Sequence, residues 1–197
     1  MVNKPKQKGT AAESAVVSFL QSAGFPYAER LALQGGKDRG DITGIPGVVI
    51  EVKACQEYTF SQWLTEARIE RDNAGADFGF VAAKPRLVGK TRTGEWYALM
   101  YAFDYLALVS QASRESKSDI EIWKRQMSGN AISTLIAREL KLAQAHAADG
   151  GLDHSCVLIT PKGVKDPSMY YVVTTLSQMS DLLVLAGYGR RDDRVGA

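Results

Sequence analysis

Gly40-Asp41-Ile42-Thr43-Gly44-Ile45-Pro46-Gly47-Val48-Val49-Ile50-Glu51-Val52-Lys53 is the stretch on which the fold turns. Its second half is rich in β-branched residues and predicts a strand over 48–53. Alternate side chains on a strand share a face, so Glu51 and Lys53 point one way while Ile50 and Val52 point into a core. Gly44-Ile45-Pro46-Gly47 is strong turn chemistry, and a chain folding back there lays Asp41-Ile42-Thr43 beside the strand. Two carboxylates, Asp41 and Glu51, then meet one ammonium, Lys53, on a hairpin. Mg²⁺ prefers one or two carboxylates, with water and phosphate oxygens completing its shell, and this pair leaves those places open. Metal-bound water is acidified, and a neighbouring lysine can orient it or offset charge on a pentavalent phosphorane. A solvated strand face is the alternative reading of Glu51 and Lys53.

The order Asp41, nine residues, Glu51, one residue, Lys53 resembles the PD-(D/E)xK nuclease superfamily, with Gly40 where the family name has proline. Upstream, Lys8-Gly9-Thr10-Ala11-Ala12-Glu13 opens a predicted helix. Its apolar positions Ala12, Val16, Phe19, Leu20 and Ala23 keep a helical period up to Gly24. Thr10-x-x-Glu13 reads as a capping box, in which Glu13 reaches back to the Thr10 amide. Taken together, the K-G-x-x-x-E opening, "GF", an arginine-bearing strand, "DI" and "IEVK" are similar to Holliday junction resolvases of the archaeal and phage type. The likeness runs from Lys8 to about Lys84.

That resemblance implies a restriction-endonuclease-like α/β fold, a mixed central β-sheet flanked by helices. It also implies a metal-dependent endodeoxyribonuclease acting on branched DNA. Mg²⁺ or Mn²⁺ would be held by Asp41, Glu51 and Glu13 with the Val52 carbonyl, and the catalytic set would be Glu13, Asp41, Glu51 and Lys53. Arg30 matches the family's arginine after "GF", with Arg39 competing for the phosphate-facing role. Resolution of a four-way junction takes two symmetric nicks, so a homodimer is expected. A restriction-like or repair nickase, and a non-catalytic DNA-binding module of the same fold, are the alternatives.

The 24 basic and 22 acidic residues leave a formal charge of +2, so DNA affinity needs local clusters. Lys4, Lys6 and Lys8 form a basic arm. Lys37 and Arg39 lie in a glycine-flanked loop ahead of Asp41. Lys84, Arg86, Lys90 and Arg92 share a loop without an acid, suited to neutralising phosphates. Arg190, Arg191 and Arg194 decorate the tail, where Asp192 and Asp193 break up the charge. Cys55 and Cys156 make no C-x-x-C, and His146 and His154 have no ligand spacing, so neither zinc nor a disulfide framework is expected. Reducing conditions, the cytoplasm or a host cell's cytoplasm for a phage protein, fit this usage. No apolar run reaches the length of a membrane span.

Residues 1–112 are expected to form the nuclease core, with a helix over 61–74, strands over 78–83 and 96–101, and a helix over 103–112. Arg68 and Arg71 either pair with Glu70 and Glu66 or face DNA. Residues 113–130 read as a connector, and 131–197 as a C-terminal α/β extension opening on a helix over 131–148. The second strand-loop-strand-helix pattern, 156–186, echoes 78–110, with Lys162 and Lys165 where the first copy has Lys90 and Arg92.

Overall fold

The computed structural model describes residues 4–31, 39–55, 57–128 and 133–190. In chain order these form α1 (Lys4–Ser22), β1 (Glu29–Arg30), β2 (Ile42–Thr43), β3 (Val48–Lys53), α2 (Phe60–Ala74), β4 (Phe78–Ala83) and β5 (Tyr97–Tyr101). Then follow α3 (Ala102–Ser116), β6 (Ile122–Ser128), α4 (Ser133–Asp149), β7 (His154–Thr160), β8 (Tyr171–Thr175) and α5 (Leu176–Leu185). The strands build one mixed open sheet in the order β1-β2-β3-β4-β5-β8-β7-β6, with helices on both faces.

The two-residue period of the strands sends neighbouring side chains to opposite layers. Ile50, Phe80, Ala82, Ala98 and Met100 meet α1, α3 and α5 through Val16, Leu20, Leu108, Met179 and Leu182. Val81, Ala83, Leu99, Val157 and Val173 meet α2 and α4 through Trp63, Leu64, Ala67, Ile136 and Leu140. Trp96, Phe80, Leu99 and Met100 are fully buried, so the centre of the sheet is the centre of the molecule.

Helix α1 begins at Lys4, earlier than the Lys8-Gly9-Thr10 opening suggests. Thr10 is therefore inside the helix, where its carbonyl accepts the Ser14 hydroxyl at 2.9 Å, and it caps nothing. Lys4, Lys6 and Lys8 belong to that helix and form no separate arm. Residues 113–130, expected as a connector, contain the end of α3 and the strand β6, paired in parallel with β7 along its whole length. An edge strand buries only part of its surface, which is how a run as polar as Lys124-Arg125-Gln126 can be sheet.

The echo in the sequence proves longer than the hairpins that suggested it. Segments β3-α2-β4-β5-α3 and β6-α4-β7-β8-α5 have one topology. In each, the first two strands are parallel and the last two antiparallel, and β5 lies antiparallel to β8 between them. Each connecting loop holds a 3-10 turn, Lys90–Glu95 in the first and Pro167–Met169 in the second. Lys162 and Lys165 sit in the second of these loops as Lys90 and Arg92 sit in the first. The pattern is that of a two-fold axis normal to the sheet, through the Leu99 and Val173 pair. Along it, Glu51 opposite Val81 has as its mate Arg125 opposite Val157, and Lys53 has Met127.

Candidate active site

The hairpin forms as its turn chemistry requires, with Ile42 opposite Ile50. Gly40 precedes it at φ +89°, where a Cβ would stand 2.8 Å from Val49 Cγ1, and proline, locked near −65°, has no access to that conformation. The Asp41 N–H donates to Ile50 O at 3.0 Å, and its carbonyl accepts the Leu31 N–H at 2.8 Å. Its carboxylate Oδ2 accepts the Val52 N–H at 2.8 Å. On the other side of β3, Lys53 O accepts the Lys84 N–H at 2.8 Å. Alternation along the strand therefore turns the backbone groups of Val52, carbonyl included, towards Asp41.

Glu51 and Lys53 face α2. Lys53 Nζ lies 2.5 Å from Glu51 Oε1 and 2.8 Å from Glu66 Oε2. Burial, then the charge of Asp41, pushes the Glu51 carboxyl up to about 8, with the buried Glu70 adding to the push and the Lys53 hydrogen bond opposing it. Burial by itself would lower the Lys53 ammonium, but its bonds to Glu51 and Glu66 outweigh that and raise it. The Lys53 hydrogen bond in turn lowers Glu66. The site is thus a compact set of carboxylates around one lysine.

Asp41 and Glu51 suit a hard, oxygen-seeking dication, since the hairpin brings the two carboxylates together closely enough for the Asp41 charge to raise the Glu51 carboxyl. Two carboxylates that disfavour each other's charge are relieved when a cation replaces the proton. Asp41, Glu51 and the Val52 carbonyl are the groups that would hold it. Glu13 is not gathered with them: among the described residues no group of three or more His, Cys, Asp or Glu side chains stands within ligating reach. Glu13 faces Arg30, with Oε2 2.6 Å from Nη2, an ion pair that joins α1 to β1.

Of the basic residues expected at a DNA surface, Arg39 is exposed beside Gly40, and Lys84 leaves the end of β4 next to Lys53. Arg86 stacks 5.8 Å over the Tyr58 ring. Lys90 is exposed, whereas Arg92 pairs with Glu95 at 3.3 Å. Lys8 lies in α1, and Lys37 lies outside the described residues. A groove of about 1060 Å³ runs between α1 and the 3-10 turn, lined by residues that include Thr10, Ser14, Ser18, Lys90 and Thr93. None of the candidate acids lines it.

Three residues of the site were not anticipated. Glu66 and Glu70, four apart on α2, bring charge to Glu51 and Lys53. Arg68 stacks 5.1 Å over Tyr101, and Arg71 binds Asp104 at 3.1 Å and Asp72 at 2.8 Å. Tyr58 OH accepts the Arg86 N–H at 2.9 Å and reaches Lys84 O at 3.2 Å, fixing the basic loop beside the site. The i, i+4 spacing of the two glutamates was the available signal, but only the packing of α2 on β3 says which way they face. Among the described residues no helix is long and apolar enough to cross a membrane. No family model, curated protein or solved structure matches this chain.

Proposed function

We propose that this chain is a metal-dependent endodeoxyribonuclease of the restriction-endonuclease-like fold that cuts branched DNA as a Holliday junction resolvase. The observation carrying this reading is the meeting of Asp41, Glu51 and Lys53 on one hairpin, with Lys53 Nζ 2.5 Å from the Glu51 carboxylate. The order of elements α1-β1-β2-β3-α2-β4, with these residues on the second and third strands, supports it.

Asp41 and Glu51, with the Val52 carbonyl, would hold Mg²⁺ or Mn²⁺, which when bound would supply an acidified water and Lewis-acid polarisation of the phosphoryl oxygen. The Val52 N–H bond holds the Asp41 carboxylate in place throughout. Lys53, kept cationic by Glu51 and Glu66, orients the attacking water and offsets charge that builds on the phosphorane. Glu66 keeps the lysine directed at the site, and Glu70 adds negative charge beside Glu51. The Glu13–Arg30 pair braces α1 against β1 behind the hairpin and sets Arg30 towards a phosphate. Arg39, Lys84, Arg86 and Lys90 receive the DNA backbone. Two chains, each nicking one strand of a four-way junction, complete the reaction in the cytoplasm.

A second reading, a nickase acting as a monomer, is favoured by the pseudo-two-fold sheet, because the mate of Glu51 is Arg125 and the described residues hold one acidic hairpin. End-labelled linear, nicked, flap and four-way DNA, incubated in parallel with the protein and Mg²⁺, separate the readings. Paired symmetric nicks in the four-way substrate are expected. Single nicks by a monomer would move the assignment to a nickase, and no cleavage of any substrate would leave a DNA-binding module.

A further inference from the structure

The loop leaving β4 starts beside Lys53 and is anchored at several points. Tyr58 OH bridges Arg86 N and Lys84 O. The Val88 N–H donates to Pro85 O at 3.4 Å. The fully buried Trp96 donates its Nε1–H to Gly89 O at 3.3 Å, and Arg92 Nη2 donates to Leu87 O at 3.4 Å. A loop held this way presents a defined tip.

That tip is Leu87. Its backbone has φ +65°, in the left-handed region that favours glycine. Its side chain is 98% exposed, the highest value among the exposed large hydrophobic residues, where Tyr27 follows at 67%. Both features oppose folding, and one substitution, to glycine, would remove both. A leucine kept in strain and in water calls for a partner that buries it. Lys84, Arg86, Lys90 and Arg92 surround it in sequence, so the partner is apolar at its centre and anionic around it. A step between stacked bases, flanked by phosphates, has that chemistry.

We infer that Leu87 is a wedge that enters the base stack of the DNA next to the bond being cut. This rests on the nuclease reading and deepens it. Prising apart a stacked duplex step is costly, and the cost is least where stacking is already interrupted. A wedge fixed beside the site therefore selects branch points over continuous duplex. Leu87 sets which DNA structure is cut, while Asp41, Glu51 and Lys53 do the cutting.

The test places the fluorescent base analogue aminopurine at the branch point of a four-way junction and follows binding by the full chain in EDTA. The parent protein should raise the fluorescence by unstacking the analogue. Leu87→Gly, which relaxes the backbone and removes the side chain, should leave it unchanged. It should also bind the junction roughly tenfold more weakly and lose the preference for junction over linear duplex. Leu87→Met should restore both. Parental fluorescence and preference in Leu87→Gly would overturn the wedge even if the protein cuts DNA. A change in the sedimentation of Leu87→Gly without DNA, with DNA binding unaltered, would assign Leu87 to a contact between chains and overturn it as well. A parent protein that neither binds nor cuts any DNA would fail earlier, at the nuclease reading itself.

Discussion

Residues 48–116 and 122–185 share one topology about one axis, yet Glu51 and Lys53 on β3 have Arg125 and Met127 as mates on β6. The second half builds its strands and helices without an acidic hairpin, so the fold does not require one. Glu51, Lys53 and Glu70 sit largely out of water, where charges cost stability even when paired. In the first half they are the charges that the proposed chemistry would use. The pairing of β5 with β8 also covers what would otherwise be the edge of each half, so a dimer of this chain must use another surface.

The comparison is broken most severely at catalysis. Lys53→Ala should lower cleavage of four-way DNA on the order of 10²–10³-fold, while Met127→Ala, its mate, should leave the rate as it was. Equal losses, in single-turnover assays, would mean that the second half shares the chemistry. A second break addresses whether the halves fold together. Leu99→Ala, on the pseudo-axis, should cost about 2–5 kcal/mol and keep a single unfolding transition by two probes, since its cavity touches both halves. Two transitions would show independent halves.

A third prediction concerns pH. Burial, with the neighbouring Asp41, raises Glu51 up to about 8, so the folded state keeps a proton that the unfolded chain releases at lower pH. Stability of the metal-free protein from this group is therefore full below the ordinary glutamate range and declines as pH rises towards about 8. Glu51→Gln should flatten that decline in denaturant titrations run in EDTA, and Arg125→Gln should not. An unchanged slope in Glu51→Gln would remove the charge crowding on which the metal site is argued. The smallest effect is at the seam between the halves. Tyr188 OH donates to Asp77 Oδ2 at 2.9 Å, against a turn where a Cβ on Gly47 would come 2.8 Å from the Tyr188 ring. Tyr188→Phe should cost about 1 kcal/mol, read as a shift in denaturation midpoint.

The first half was largely legible in the sequence. The β-branched run 48–53 and the apolar run 78–83 are strands with those bounds, and Gly44-Ile45-Pro46-Gly47 is the turn. These signals are local, and local signals survive in a single sequence. Strand β6 was not legible, because its partner β7 comes after a whole helix and its own residues are mostly polar. Thr10 and Glu13 imitate a helix start although the helix begins at Lys4, since lysine propagates a helix as readily as most residues. At the candidate site, the meeting of Asp41, Glu51 and Lys53 was legible from spacing, whereas the approach of Glu66 to Lys53 and of Glu70 to Glu51 depends on the rotation of α2 against β3. Glu13 was placed in the site by resemblance and is held by Arg30 instead.

The central claim is that the Asp41–Glu51 pair is a metal site for DNA hydrolysis, and cleavage of end-labelled four-way DNA with and without Mg²⁺ tests it most directly. The parent protein should cut in Mg²⁺ and not in EDTA. Asp41→Asn and Glu51→Gln should each lose cleavage while keeping the parental circular dichroism spectrum and DNA affinity. Cleavage by both variants at the parental rate, or cleavage by the parent in EDTA, would contradict the account.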